Sequence, residues 1–326
     1  MQRRFGLVVV LWLGVEAGAV AQAVHGRGGI TLPAPPPAEA TPVLDNYFDT
    51  RIPDSYRWLE DAKSEETRAF IDAENAYTTH YMEQARIRPQ VIDGLESLEQ
   101  VSSWSLPIQR AGNYYFEKRL GGEGQASIYI RRGWTAKDER LIDPAVLSRD
   151  SNTSVELLDV SRDGTLIAYG VRQGGADEST VRVFNVKTCK IMQDELPSGL
   201  YWSMNFTPDG SGLIYSRDNA QGTLIYEHVF GTRTVRDTLL FGREFYDEPL
   251  GPNDLSTATV TEDGRYLVVT TEHGVPAKRV DIVFRDLTKP GSTFQVLVWG
   301  LDSRFSAIYA KGAWYVKTDY KAPMGR

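Results

Sequence analysis

The run Val160-Ser161-Arg162-Asp163-Gly164-Thr165-Leu166-Ile167-Ala168-Tyr169 couples a tight turn to an apolar strand. Asp-Gly suits a hairpin, because Gly tolerates positive φ and the Asp carboxylate bonds to its own turn. The unit recurs as Phe206-Thr207-Pro208-Asp209-Gly210 before Leu213–Tyr215, and as Val260-Thr261-Glu262-Asp263-Gly264 before Tyr266–Val269. Asp163, Asp209 and Asp263 are 46 and 54 residues apart, the period of a four-stranded propeller blade. Two readings fit: a β-propeller, or a β-sandwich with three unrelated Asp-Gly hairpins. The flanking pattern repeats along with the turn, which favours the propeller. The histidine and Trp-Asp pairs of ordinary WD repeats are missing.

The same texture spreads outward from these turns. Asn113–Lys118, Ala126–Arg131, Leu166–Arg172, Thr180–Val186, Gly212–Arg217, Thr223–Val229, Tyr266–Thr271, Asp281–Asp286 and Ala313–Thr318 all read as strands. They are rich in the β-branched and aromatic residues that half-buried sheet positions prefer. Residues 100–326 leave room for roughly four or five blades. Tyr320–Arg326 reads as the exit from a strand, so an incomplete propeller is expected. Two helices are expected before it. Ser64 is a good N-cap, followed by Glu65 and Glu66 at the positive end of the helix dipole. Phe70, Ala73, Tyr77 and Tyr81 would form its apolar stripe. A second helix over Pro89–Glu99 would bury Val91, Ile92, Leu95 and Leu98.

The 326 residues suffice for one large or two ordinary domains, with 41% hydrophobic and 24% charged residues. A net charge of −7 argues against nucleic-acid binding and against a basic membrane-surface patch. Cys189 is the single cysteine, which leaves no internal disulfide and no cysteine zinc site; a buried thiol is expected. Residues 1–23 read as a signal peptide: Arg3 and Arg4, an apolar run over Phe5–Val15, then small-x-small cleavage sites at Ala19–Ala21 and Ala21–Ala23. An uncleaved anchor is the alternative; Glu16 and the short run weigh against it. With the signal removed, no membrane association is expected, and the protein would be exported: periplasmic or secreted if bacterial. Residues 24–44, with Pro33, Pro35, Pro36, Pro37 and Pro42, read as a disordered or polyproline-like tether. Residues 45–99 form a helical segment and residues 100–326 the propeller.

The chain offers little chemistry. It has no Gly-x-Ser-x-Gly elbow, and Gly210-Ser211-Gly212 lies in one of the repeated turns. His25, His80, His228 and His273 are each read as satisfied or solvated side chains. No His-Glu-x-x-His motif occurs, and the acidic stretches Asp61–Glu66 and Asp254–Asp263 read as caps and turns. Gly121-Gly122-Glu123-Gly124 lies between two strands, without the helix N-terminus that a phosphate loop needs. Glu60 and Asp61 are adjacent carboxylates, read as leading into the Ser64 helix rather than as an acid–base pair. No catalytic, cofactor-binding or metal-binding residue is assigned, and no cofactor is implied.

Pro53–Asp61 carries the most specific signal. Asp54 and Tyr56-Arg57-Trp58-Leu59-Glu60-Asp61 resemble the Asp-Pro-Tyr-Arg-Trp-Leu-Glu-Asp motif of the prolyl oligopeptidase family of serine peptidases, with Ser55 in place of the usual proline. Ser64-Glu65-Glu66, Glu74-Asn75, Thr78, Tyr81 and Met82 resemble the helix that follows in that family. Asn113–Phe116, Leu141–Pro144 with Leu147-Ser148, Gly175–Glu178 before Val181–Val183, and Thr318–Pro323 continue the resemblance in order, from Asp45 to Arg326. Cys189 departs from a glycine common after Thr188.

The resemblance implies a seven-bladed propeller inserted into an α/β-hydrolase, with the N-terminal segment belonging to the hydrolase and the Ser-Asp-His triad following the propeller. The chain is expected to stop inside the propeller, so no catalytic residue is carried over. The implied parent is an exported serine peptidase that cuts short peptides, typically after proline. Tyr56 and Trp58 would pack against the missing hydrolase domain. This chain alone would be inactive and, with open sheet faces, poorly soluble. The alternative is a standalone propeller-like binding protein.

Overall fold

The computed structural model describes residues 23–149, 151–220, 222–245 and 248–322. It divides into two units, residues 1–98 and 99–326; the described part of each is taken by itself.

The second unit contains, in chain order, four larger antiparallel sheets and a terminal hairpin, with a short pair of Glu244–Phe245 and Glu248–Pro249 between the third and fourth sheets. In the first sheet, Ser103–Trp104 and Ile108–Arg110 both pair with Asn113–Arg119, followed by Ser127–Arg132 and Asp138–Ile142. The second runs through Ser154–Val160, Leu166–Arg172, Ser179–Asn185 and Lys190–Gly199. The third holds Tyr201–Phe206, Gly212–Asn219, Gly222–Val229 and Thr238–Phe241, and the fourth Asp254–Val260, Tyr266–His273, Arg279–Asp286 and Gln295–Val298. Phe305–Ala310 and Ala313–Thr318 make the hairpin. These are propeller blades, four of them plus a hairpin among the described residues, against the seven implied by the resemblance.

Side chains alternate across a strand, and here both faces of a blade are covered. On the second strand of the second blade, Ile167, Tyr169 and Val171 pack with Tyr115, Ile128 and Ile130 of the first blade. Ala168, between them, joins Met204, Phe206, Leu213 and Tyr215 of the third. Ile214 then turns the other way, toward Ala258, Leu267 and Val269 of the fourth blade. Val268 and Ile282 meet Phe305, Ala307 and Trp314 of the hairpin. Two-sided burial explains why these strands read as continuous apolar runs. The hairpin differs: Phe305, Ala307 and Tyr309 are half-buried, while Ser306, Ile308 and Ala310 between them are exposed.

In the first unit, α1 (Glu65–Glu83) begins where expected, with Ser64 Oγ accepting the Thr67 N–H at 3.1 Å. α2 covers Arg88–Glu99, but its expected buried face is a correction: Val91, Leu95 and Leu98 are 49%, 55% and 66% exposed. The periodicity marks an apolar face, but it does not show whether that face is buried. Within the Pro-rich stretch, Val24–His25 pairs with Thr31–Leu32, and Val43–Tyr47 pairs with Thr50–Asp54; Pro33 to Pro37 lie outside both ladders. The expected signal segment, Ala23 apart, lies outside the described residues. Among those described, no helix is long and apolar enough to cross a membrane.

Candidate functional site

The first strands of successive blades converge on one polar cavity of about 190 Å³, lined by Arg110, Asp159, Arg162, Asn205 and Glu262. An edge strand carries unpaired backbone N–H groups that need acceptors. Here the neighbouring blade supplies them. Asp159 Oδ2 accepts the Phe206 N–H at 2.8 Å. Asn205, at the corresponding place one blade on, accepts the Val260 N–H at 3.0 Å and donates to the Ala258 carbonyl at 2.9 Å. Ser203 Oγ accepts the Ala258 N–H at 2.9 Å, and Glu117 Oε1 accepts the Leu157 N–H at 2.7 Å. Burial pushes the Asp159 and Glu117 carboxyls above the usual range, and the N–H groups they accept offset this only in part. Arg110 Nη1 reaches Glu262 Oε1 at 3.0 Å, and Arg110 Nε donates to the Val160 carbonyl at 3.3 Å.

The Asp-Gly turns stand beside this cavity and share one geometry. Ser161, Thr207 and Thr261 donate their hydroxyls to Asp163, Asp209 and Asp263 at 2.7, 2.7 and 2.6 Å. The same hydroxyl oxygens accept the N–H of Leu166, Gly212 and Tyr266 at 2.9, 3.0 and 2.9 Å. Gly164, Gly210 and Gly264 sit at φ of 69°, 72° and 72°, the left-handed region that favours glycine. The Thr207 hydroxyl, then the Ser211 hydroxyl and N–H, hold the Asp209 carboxyl below its usual range. Ser211, centre of the look-alike elbow, is thereby bound within its own turn, its hydroxyl donating to Asp209 at 2.7 Å.

Pro53–Asp61 forms a knot of its own. Asp54 Oδ1 accepts the Tyr56 N–H at 2.9 Å, which holds the turn that Ser55 leaves without a proline. Arg57 Nε donates to Asp54 Oδ2 at 2.8 Å and its Nη2 pairs with Asp45, tying the Val43–Asp54 hairpin to the helical turn Arg57–Glu60. Trp58 meets the Phe70 ring edge-on at 5.6 Å and donates to the Glu39 carbonyl at 2.9 Å. Tyr56 is 48% exposed. Glu60 pairs with Arg57 at 3.3 Å and Asp61 accepts the Lys63 N–H at 3.1 Å, so both carboxylates serve the turn and the helix entry.

The remaining candidates fall apart spatially and chemically. His25 contacts Thr31, and His80 is exposed on α1. His228 lies between Asp194 and Asp237, and His273 between Asp254 and Asp281; no serine hydroxyl is among these partners. Gly121 belongs to the first-blade hairpin loop, where a Cβ would stand 1.9 Å from the Gln100 carbonyl oxygen. Among the described residues, no cluster of three or more His, Cys, Asp or Glu is placed to hold a metal. Cys189 is a second correction: it is exposed, at φ of 54°, in the turn after Asn185. Thr188 precedes a left-handed position there, which explains why a glycine is common in the resembling sequences.

The profile described as prolyl oligopeptidase, N-terminal beta-propeller domain, matches residues 35–326. The chain belongs to the prolyl oligopeptidase family. Among relatives of this family, the prolyl endopeptidase of Elizabethkingia meningoseptica is 29% identical over 296 residues, covering 86% of this chain and 40% of that protein. Prolyl oligopeptidase A of Amanita bisporigera is 25% identical over 335 residues, covering 88% and 43%. A solved structure from work on two prolyl endopeptidases, concerned with inter-domain dynamics in catalysis and specificity, superposes with a TM-score of 0.74 at 27% identity, over 89% of this chain and 43% of that one. The chain thus spans about two fifths of the length of the relatives it matches. The part of those relatives that residues 35–326 match is the propeller part, and their catalytic domain lies outside the match.

Proposed function

We propose that this chain is the N-terminal and propeller part of an exported serine-type peptidase that hydrolyses short peptides, typically after proline. The match of the propeller profile over residues 35–326 carries this reading. The propeller limits which peptides reach the active site. A serine nucleophile, activated by histidine and facing an oxyanion hole, belongs to an α/β-hydrolase domain. That domain packs on the motif around Tyr56 and Trp58, where Tyr56 stands half out of its own unit. Residues 45–99 belong to the hydrolase side and residues 100–326 to the propeller.

Titrating the full chain with the hydrolase domain of the Elizabethkingia relative in a calorimeter tests the docking. Saturable binding, weakened about tenfold or more by Tyr56→Ala or Trp58→Ala, is expected, since buried aromatic anchors dominate such interfaces. No binding, or equal binding by both variants, would count against it.

A further inference from the structure

Two guanidinium groups line the polar cavity, and the fold holds them without using them up. Arg110 comes from the first blade. Its Nη1 donates to the Gln109 carbonyl at 3.0 Å and its Nε to the Val160 carbonyl of the second blade at 3.3 Å, which fixes where the group faces. Its ionic partner is Glu262 of the fourth blade, at 3.0 Å. The Glu262 side chain is 81% exposed, so this pair contributes little and exchanges readily with water. Arg162, in the second-blade turn, is exposed and forms no ion pair among the described residues. Its Nη1 takes the space that a Cβ on Gly264 would fill, so that glycine is also the seat of the guanidinium.

The acidic groups nearby are committed differently. Asp159 accepts the Phe206 N–H, and burial opposes its charge. Asp263, whose carboxyl feels the Arg162 charge, gives Oδ1 to the Thr261 hydroxyl and the Arg265 N–H. Glu262 alone among them stands in solvent and can leave its partner. A guanidinium presents its N–H groups as a planar fork that fits a carboxylate, and Glu262 already occupies Arg110 in this way. At about 190 Å³ the cavity is smaller than the roughly 300–1,000 Å³ that encloses a drug-sized ligand, so it suits the end of a molecule.

We propose that the polar cavity is a carboxylate-receiving site, in which Arg110 and Arg162 take the C-terminal carboxylate of a short peptide in exchange for Glu262. The choice of a peptide rests on the peptidase reading above; the choice of a carboxylate rests on the two guanidinium groups. Asn205 supplies shape there, since its amide is already engaged by Ala258 and Val260. The incoming carboxylate replaces an internal one, so no new charge is buried without a partner.

Calorimetric titration of the full chain at low salt tests this with the dipeptide Gly-Pro, its C-terminal amide and acetate. Gly-Pro is expected to bind saturably and its amide about tenfold or more weaker, the loss that follows when a charge-assisted hydrogen bond is removed. Arg162→Gln is expected to weaken Gly-Pro by a similar factor, while the Ser161 and Asp163 bonds of its turn stay in place. Glu262→Gln is expected to tighten Gly-Pro, since the internal competitor is gone. No binding of Gly-Pro, equal binding of the amide or of acetate, or wild-type affinity in Arg162→Gln would overturn the proposal. The amide comparison uses the wild-type chain and decides even where a variant folds poorly. Failure here leaves the hydrolase-docking titration untouched, and failure of docking leaves this binding measurable, so the two readings fall separately.

Discussion

Asp159 and Asn205 occupy the same place in successive blades and solve the same problem with different chemistry. Each accepts an N–H from the first strand of the next blade, but one carries a charge that burial opposes. Because the folded carboxyl of Asp159 titrates above its ordinary value of 3.8, stability rises as pH falls through the raised value toward the ordinary one. Above it, the buried charge is a cost. Asp159→Asn is therefore predicted to keep the acceptor and to melt at or above the wild-type temperature at neutral pH, with less dependence on acid. Asp159→Ala leaves the Phe206 N–H without a partner and is predicted to lose about 1–3 kcal/mol in denaturant unfolding. The sequence gives no hint of this role, since an Asp before Val160 looks like any polar residue before a turn. Cys189 misleads for a related reason: single cysteines are usually buried, but its position is set by a left-handed turn that no composition rule records.

Among elements, the repeated turns were the most legible. Ser or Thr followed two residues later by Asp-Gly needs nothing beyond local hydrogen bonds, and all three copies form them alike. The second and third strands were legible because they are apolar on both faces. The first strands were not: Ser154–Val160, Tyr201–Phe206 and Asp254–Val260 mix polar and apolar residues, because they line the polar cavity and reach into neighbouring blades. The fourth strands Thr238–Phe241 and Gln295–Val298 are too short to show a period. Helix α2 was legible as a helix but not in its surroundings, since periodicity shows an apolar face and not what covers it. The turn carboxylates also make a pH prediction. Asp209 titrates below its ordinary value of 3.8, so its contribution is present above that value and is lost as pH falls through the folded one. Asp209→Ala is predicted to cost about 1–2 kcal/mol at neutral pH, with the difference from wild type shrinking in acid; urea melts at both pH values check this.

At the scale of the whole chain, packing and family membership agree. Successive blades bury both faces of each sheet, while the outer face of the terminal hairpin leaves Ile308 and Tyr315 in solvent. In the first unit, Tyr56, Leu95 and Leu98 are likewise exposed. The folded residues build walls, turns and inter-blade joints, and His228 and His273 lie against carboxylates. On the proposed function, this chain shapes access to a reaction whose chemical groups lie in a hydrolase domain. The most direct measurement is the hydrolysis of a proline-containing chromogenic peptide by the purified 326-residue chain. The account predicts no turnover above the buffer rate; turnover that a serine-directed inhibitor abolishes would contradict it.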